Sequence, residues 1–329
     1  MKILVTGGAG FIGSNLVDAL AEQTTDEIIV ADDFSSGAPE NVRQHAANPR
    51  VRVVTLDIRD QNATREIMRG VEVVYHLAVR CVRVSIRDPY VVHDVNATGT
   101  LHLLTAALAE KVKRFVYCSS SEVYGTARRV PMDEEHPLVP TTPYGASKLA
   151  GEAYARAFFL TYDLPVTIVR PFNTYGPREH FEGPYGEVIP KFVVRALNDA
   201  PLVIFGDGSQ TRDFTEVSDT VRGLMTAGAS DALVGDVVNI ARGQEVSVRA
   251  LAQIVLETLP DSKSEIEYQT PRPGDVMRHS ADISKAERVL NFAPRVEIRA
   301  GVKRYVEWLQ RSEFDPREML SREKLRNWE

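Results

Sequence analysis

Among 329 residues there are two cysteines and two tryptophans, no apolar run long enough to span a membrane, and no excess of positive charge. Each shortage closes a class of function. Cys81 and Cys118 match no metal-ligand or redox spacing, so they read as ordinary reduced side chains of a cytoplasmic protein, and no metal is expected. A formal net charge of -6 argues against work on nucleic acid or at an anionic membrane surface. The opening "MKILVTGGAG" is too short and too glycine-rich for a secretory leader and already reads as structure. No internal repeat or low-complexity segment is visible. The length suffices for a full core, as one large domain or two lobes.

What is present is alternation. "KILVT", "EIIVAD", "VRVVTLD", "VEVVYHLA" and "RFVYCSS" are apolar strand-like runs separated by stretches with helical spacing, such as "VNATGTLHLLTAALAEK". Continuous apolar strands between helices predict a doubly wound parallel sheet covered on both faces. After about residue 172 the texture changes. Pro, Gly and aromatics crowd "FNTYGPREHFEGPYGEVIP", which predicts a smaller C-terminal lobe. The tail "FDPREMLSREKLRNWE" is charged and reads as peripheral.

The first chemical signal is "TGGAGFIGS", where Gly7, Gly10 and Gly13, flanking Phe11 and Ile12, stand between a strand and a helix. Glycines there permit a tight turn and close approach of a pyrophosphate, and the helix N-terminus offers N–H groups to it. Asp32 closes the next strand, 19 residues after Gly13, where a ribose diol would be accepted. A carboxylate repels a 2′-phosphate, so NAD is favoured over NADP. Asp57 and Ile58 would lie near the adenine edge, although a solvated helix cap explains Asp57 nearly as well. Residues 1–171 are therefore expected to form an NAD-binding Rossmann domain. Residues 172–329 are expected to form mainly the substrate lobe, with some segments returning to the first.

The second signal pairs two segments. In "PYGASKLAGEAY", Tyr144 and Lys148 share one helix face that Pro143 can open. A neighbouring ammonium and an oxidised nicotinamide both favour a phenolate, which could act as a base. "YCSSSEVYG", at a strand end, brings Ser119, Ser120, Ser121 and Glu122 to the same region.

Taken together, "TGGAGFIGS", "LDIRD", "YHLA", "SSSEVYG", "PYGASK", "RPFNTYGP", "FGDGSQTRDF" and "RPGD" resemble the extended short-chain dehydrogenase/reductases of the sugar-nucleotide epimerase/dehydratase family, from Met1 to roughly Leu309. The resemblance implies a homodimer through helices around residues 90–110 and 144–160. It also implies a bound NAD that oxidises a nucleotide-diphosphate sugar, expected to be UDP-linked, at C4 and later returns the hydride. On that resemblance Ser120 is the catalytic hydroxyl, Tyr144 the base, Lys148 the ribose-binding lysine, and Leu77 a cofactor neighbour. Asn173, Arg212, Arg272 and Asp275 match diphosphate-holding positions, and Phe205 lies where the base packs. Ser119 reads as structural or near the nicotinamide.

The outcome at C4 turns on Glu122. A carboxylate beside a 4-keto sugar could remove the C5 proton and allow loss of the C6 hydroxyl. Dehydratases of the family carry an Asp–Glu pair, whereas Ser121 stands in place of that Asp here. Glucuronate decarboxylases resemble "SSE" more closely but need a cation for the substrate carboxylate, for which Arg80 and Arg178 are candidates. Glu122 could also be catalytically idle. Simple 4-epimerisation needs only Ser120, Tyr144, Lys148 and room for the keto sugar to turn, and the reading leans there. A non-catalytic NAD sensor would need the glycines and Asp32 but not Ser120, Tyr144 and Lys148. A net oxidoreductase exchanging NADP is disfavoured by Asp32. Two departures from the family, Glu216 in "RDFTEV" and "VRC" after "HLA", bear on the substrate pocket.

Overall fold

The computed structural model describes residues 1–271 and 276–327. Six strands open the central sheet: β1 (Lys2–Thr6), β2 (Glu27–Asp32), β3 (Val51–Thr55), β4 (Val73–His76), β5 (Arg114–Cys118) and β6 (Val166–Pro171). A seventh, Val237–Ile240, joins from the second half of the chain. Every neighbouring pair is parallel, in the order β3-β2-β1-β4-β5-β6 followed by 237–240. The expected doubly wound sheet is therefore what forms.

The apolar runs explain the layering. Strand β5 is buried along its whole length, as a strand covered on both faces must be, while β3 lies at the edge with Val53 exposed. On one face, Leu16, Val17 and Leu20 of α1 (Phe11–Gln23) pack with Val221 and Leu224 of the helix Val217–Ala229. The other face is covered by α2 (Gln61–Ile67), α5 (Thr100–Ala109) and α6 (Pro143–Tyr162), with Leu103, Leu104 and Ala155 in its core. Two short helices, α3 (Val82–Arg87) and α4 (Pro89–His93), precede a π-helical turn over Asp94–Gly99 that leads into α5. Full burial of such a side chain is worth about 1.5–3 kcal/mol.

The order of the sheet also fixes where a ligand can go. The chain leaves β1 towards β3, then returns to β4 on the other side, so the connections diverge between β1 and β4. That divergence opens a crevice at the carboxyl ends of the strands. Beyond β6 a third core forms around Phe192 of α7 (Val188–Leu197), with Ile204, Leu251, Val302 and Tyr305. It is built from α7, the helices Val248–Thr258 and Ile298–Arg311, and the paired strands Leu202–Phe205 and Ile266–Gln269. Among the described residues no helix is long and apolar enough to cross a membrane.

Candidate active site

A cavity of about 790 Å3 runs from the glycine turn after β1, past the end of β5, into the third core. Its dinucleotide end is shaped by backbone. Gly7 takes a left-handed φ of +68°, and a Cβ there would lie 2.6 Å from the Ala78 nitrogen. A Cβ on Gly13 would lie 2.1 Å from the Gly7 carbonyl oxygen. Glycine is required at both positions, and what remains is a concave backbone surface. Helix α1 begins on this surface with no side-chain cap on its first turn, and Gly10, Phe11 and Ile12 line the cavity with Leu77. Unclaimed N–H groups at a helix start suit a pyrophosphate.

Asp32, at the end of β2, is 6 % exposed and accepts hydrogen bonds from the Ala9 and Phe34 amides, each at 2.9 Å. Burial raises its pKa while those amides lower it. A ribose hydroxyl would be a further donor to the same carboxylate, so these residues fit a dinucleotide. Asp57 also lines the cavity, but its carboxylate is held 2.6 Å from Arg59, whose hydrogen bond keeps it below the usual carboxylate range. Ile58 is 4 % exposed and would meet any Cβ on Gly99 at 2.6 Å.

At the end of β5 the hydroxyls separate in role. Ser119 lines the cavity, but its hydroxyl donates to Glu152 at 2.9 Å, within a buried ion pair between Glu152 and Arg170. Ser120 caps the short turn Ser121–Val123, accepting from the Glu122 amide at 3.2 Å, and lines the cavity together with Tyr144. Ser121 is 4 % exposed and lines the cavity beside Glu122.

Helix α6 presents Tyr144 to Ser120 because Thr142 caps it, accepting from the Gly145 amide at 3.0 Å, and Pro143 occupies its first turn. The fit is close: a Cβ on Gly145 would lie 2.6 Å from the Glu122 carbonyl oxygen. Burial pushes the Tyr144 pKa up, the Ser120 hydrogen bond opposes this, and the Glu122 charge adds to the rise. Lys148, one turn on, donates from Nζ to the Cys118 carbonyl at 2.5 Å, and burial lowers its pKa to about 8. In the protein alone, then, the phenol holds its proton strongly.

The far end of the cavity is built from side chains. Asn173, at φ +23°, lines it and contacts His279 Nδ1 at 3.3 Å. Phe205 and Arg212 line it too, with Arg212 donating to the carbonyls of Thr211 at 2.8 Å and Val276 at 2.6 Å. Arg272 and Asp275 lie outside the described residues.

Four expectations from sequence need correction or refinement. Arg178 does not line the cavity; its guanidinium pairs with Asp18 on α1. Arg80 lines the dinucleotide side, where it pairs with Asp33 at 3.0 Å. Glu216 is not a pocket residue at all. It is 4 % exposed, and its carboxylate caps the helix Val217–Ala229 through the Ser218 amide at 2.8 Å. Nor is the C-terminal tail peripheral, because Glu323, Leu325 and Asn327 line the cavity.

Sequence reasoning also missed Arg83. It lines the cavity and makes a bidentate pair with Glu187, at 2.7 and 2.9 Å, from 104 positions away. Arg83, Glu187 and Glu122 line the same cavity as Ser120 and Tyr144. Among the described residues no group of three or more His, Cys, Asp or Glu is gathered as metal ligands would be.

Sheet order, a glycine cradle answered by Asp32, and a Ser–Tyr couple with lysine one turn on together define an NAD-dependent enzyme of the short-chain dehydrogenase class. The chain belongs to the NAD dependent epimerase/dehydratase family, whose sequence profile matches residues 3–241. It is 37 % identical over 313 residues to a UDP-glucose 4-epimerase of Mycolicibacterium smegmatis, covering 94 % of this chain and 99 % of that one. It is equally 37 % identical, over 321 residues, to a dTDP-glucose 4,6-dehydratase of Actinoplanes, covering 94 % and 97 %. Among solved structures, a dTDP-glucose 4,6-dehydratase from Streptomyces venezuelae with NAD bound superposes with a TM-score of 0.88 at 36 % identity, covering 94 % of this chain and 97 % of that one.

Proposed function

We propose that the protein binds a nucleotide-diphosphate sugar, UDP-linked, and inverts it at C4 through a transient 4-keto intermediate. NAD, when bound, supplies a hydride acceptor and donor. The chain supplies the rest. In this reading Tyr144 takes the O4 proton, Ser120 beside it on the cavity wall shares it, and Lys148 contributes positive charge and reaches a cofactor ribose. Asn173, Arg212 and Phe205 hold the nucleotide end, and Arg272 and Asp275 join them on the family resemblance. The placement of Ser120, Tyr144 and Lys148 together on the cavity wall is the observation that carries this reading. It also speaks against a non-catalytic NAD sensor, which would have no use for those three side chains.

The choice of epimerisation rests on charge. A uronate substrate needs a cation for its carboxylate, yet Arg80 is engaged by Asp33, Arg83 by Glu187, and Arg178 points elsewhere. Dehydration needs an acid beside Glu122, and the buried Ser121 hydroxyl is a poor one. Glu122 lines the cavity all the same, so elimination assisted by it is the second reading. Incubation with UDP-glucose, UDP-GlcNAc and UDP-glucuronate in deuterated water decides between them. Unlabelled 4-epimer supports the proposal. Deuterium at C5, loss of water, or release of carbon dioxide overturns it.

The same proposal extends to assembly and address. It takes residues 1–171 as the NAD lobe and the remainder as mainly the substrate lobe, working in the cytoplasm. Tyr90, Tyr154, Leu160 and Tyr162 expose apolar surface on α4 and α6, as a homodimer contact through those helices would require. A monomeric mass by light scattering at micromolar concentration would remove the dimer.

A further inference from the structure

The geometry points to the C-terminal segment, residues 314–327, as the outer wall of the nucleobase subsite and a determinant of which nucleotide the cavity accepts. This rests on the sugar-nucleotide reading above. After a short helix, Pro316–Ser321, the chain turns back across α7 and places Glu323, Leu325 and Asn327 on the wall of the cavity, which Val203 and Phe205 also line.

Two cations of α7 fasten it, and both of them line the cavity. Lys191 donates from Nζ to the carbonyls of Lys324 at 2.9 Å and Leu325 at 3.3 Å. Arg195 pairs with Glu323 at 2.8 Å, with the Glu323 side chain 4 % exposed. A third tie comes from Asn327, 3 % exposed, whose amide donates to the Gly186 carbonyl at 2.9 Å. Met319 and Leu320 anchor the approach against the third core.

The consequence is a change of character along the cavity. Lys191 and Arg195 would present two positive charges to any ligand at this end. The segment covers them with a carboxylate and two carbonyls, and burial has already lowered Lys191 to about 8. Arg195 is thereby matched by a carboxylate, and two of the three Lys191 N–H donors are taken by main-chain carbonyls. What remains for the ligand is a wall of Leu325, Val203 and Phe205, edged by the Asn327 amide, which suits a flat, uncharged pyrimidine. Diphosphate binding is left to the Asn173 and Arg212 side, so the wall governs base contact and not phosphate contact.

The experiment compares the intact chain with a chain ending at Glu313 and with Leu325→Asp, using calorimetric binding of UDP, dTDP, GDP and inorganic pyrophosphate to the NAD-loaded proteins. Retained NAD content serves as the control for folding. In Leu325→Asp, UDP affinity should fall about tenfold or more, the UDP-to-GDP ratio should shrink towards one, and pyrophosphate affinity should hold. In the truncation the same ratio should shrink, while pyrophosphate should bind more tightly because Lys191 and Arg195 are bared. Unchanged UDP affinity and unchanged ratios in Leu325→Asp overturn the inference, even where the truncation fails to fold. If the intact chain binds no nucleoside diphosphate, the sugar-nucleotide reading itself fails, an outcome distinct from both. Equal losses for UDP and pyrophosphate also overturn the inference, since the segment would then serve the phosphates.

Discussion

The two ends of the cavity are built on opposite principles. At the dinucleotide end the chain makes the surface from backbone, with Gly7 and Gly13 packed so closely that no Cβ fits on either, and one carboxylate set by amides. At the substrate end it uses side chains drawn from distant segments: Arg83 with Glu187, Lys191 with the tail, Asn173 with His279. Backbone geometry tolerates little variation, because a substitution either clashes or does not. Side-chain pairs can be exchanged one at a time while the sheet stands. On the proposed function, a different substrate or outcome is therefore more readily reached at the end built from side chains than at the glycine turn.

That contrast meets its hardest test at the seam, where Tyr144 belongs to neither end. Tyr144→Phe should lower kcat by about 10²- to 10⁴-fold while leaving NAD content unchanged, since it removes the proposed base and none of the cradle. Near-wild-type turnover would show that the couple with Ser120 is structural. At the dinucleotide end, Gly13→Ala pushes a methyl to within 2.1 Å of the Gly7 carbonyl oxygen. Overpacking of this kind costs about 1–3 kcal/mol, and here it also deforms the cradle, so the purified protein should lose most of its NAD. A variant with full NAD content and unchanged Tm would mean that the turn is not rigid.

At the substrate end the expected change is one of preference. Glu187→Gln removes the anion that engages Arg83, leaving its guanidinium for a ligand carboxylate. Inhibition by UDP-glucuronate should strengthen about tenfold, or about 1.4 kcal/mol, relative to UDP-glucose. No change in the ratio of the two inhibition constants would place Arg83 away from the sugar. The Glu187 side chain is 45 % exposed, so much of the fold should survive the substitution.

The same contrast explains what could be read in the sequence. The glycine turn, Asp32 and the spacing of Tyr144 and Lys148 are local patterns, since each follows from the conformation of a few consecutive residues. The parallel sheet was legible because buried strands must be apolar throughout. Arg83 and Glu187 are 104 positions apart, and Lys191 meets Leu325 across 134, so no local pattern announces either contact. Arg178 and Glu216 misled for the converse reason. Both stand in motif-like segments, yet Arg178 sits on left-handed backbone at φ +69° that turns it to Asp18, and Glu216 is taken by a helix end. A glutamate directly before "VSDTV", where a helix begins, was the available sign of a cap.

The effect expected at His279, which lies behind Asn173, is one on stability alone, with no change in turnover or ligand preference. Its ring stacks near Phe172 at 5.1 Å and contacts the Asn173 amide. Burial, with the Arg212 charge and then His136 acting in the same sense, lowers its pKa to about 4, while a hydrogen bond with the Ser121 main chain opposes the shift. The unfolded chain would bind that proton near the ordinary value of about 6.5. Between those values the unfolded state holds more protons than the folded one, so stability is full above about pH 6.5 and falls as the pH drops towards 4. By pH 5 the loss from this residue alone should be roughly 2 kcal/mol. Urea unfolding at pH 7 and pH 5 should therefore show a smaller acid loss for His279→Gln than for the unmodified chain, because the variant has no proton to take up there. Carboxylates titrate alike in both proteins and cancel in the difference. Parallel losses would mean that His279 is protonated freely in the fold, and that Asn173 is held by something other than a neutral ring.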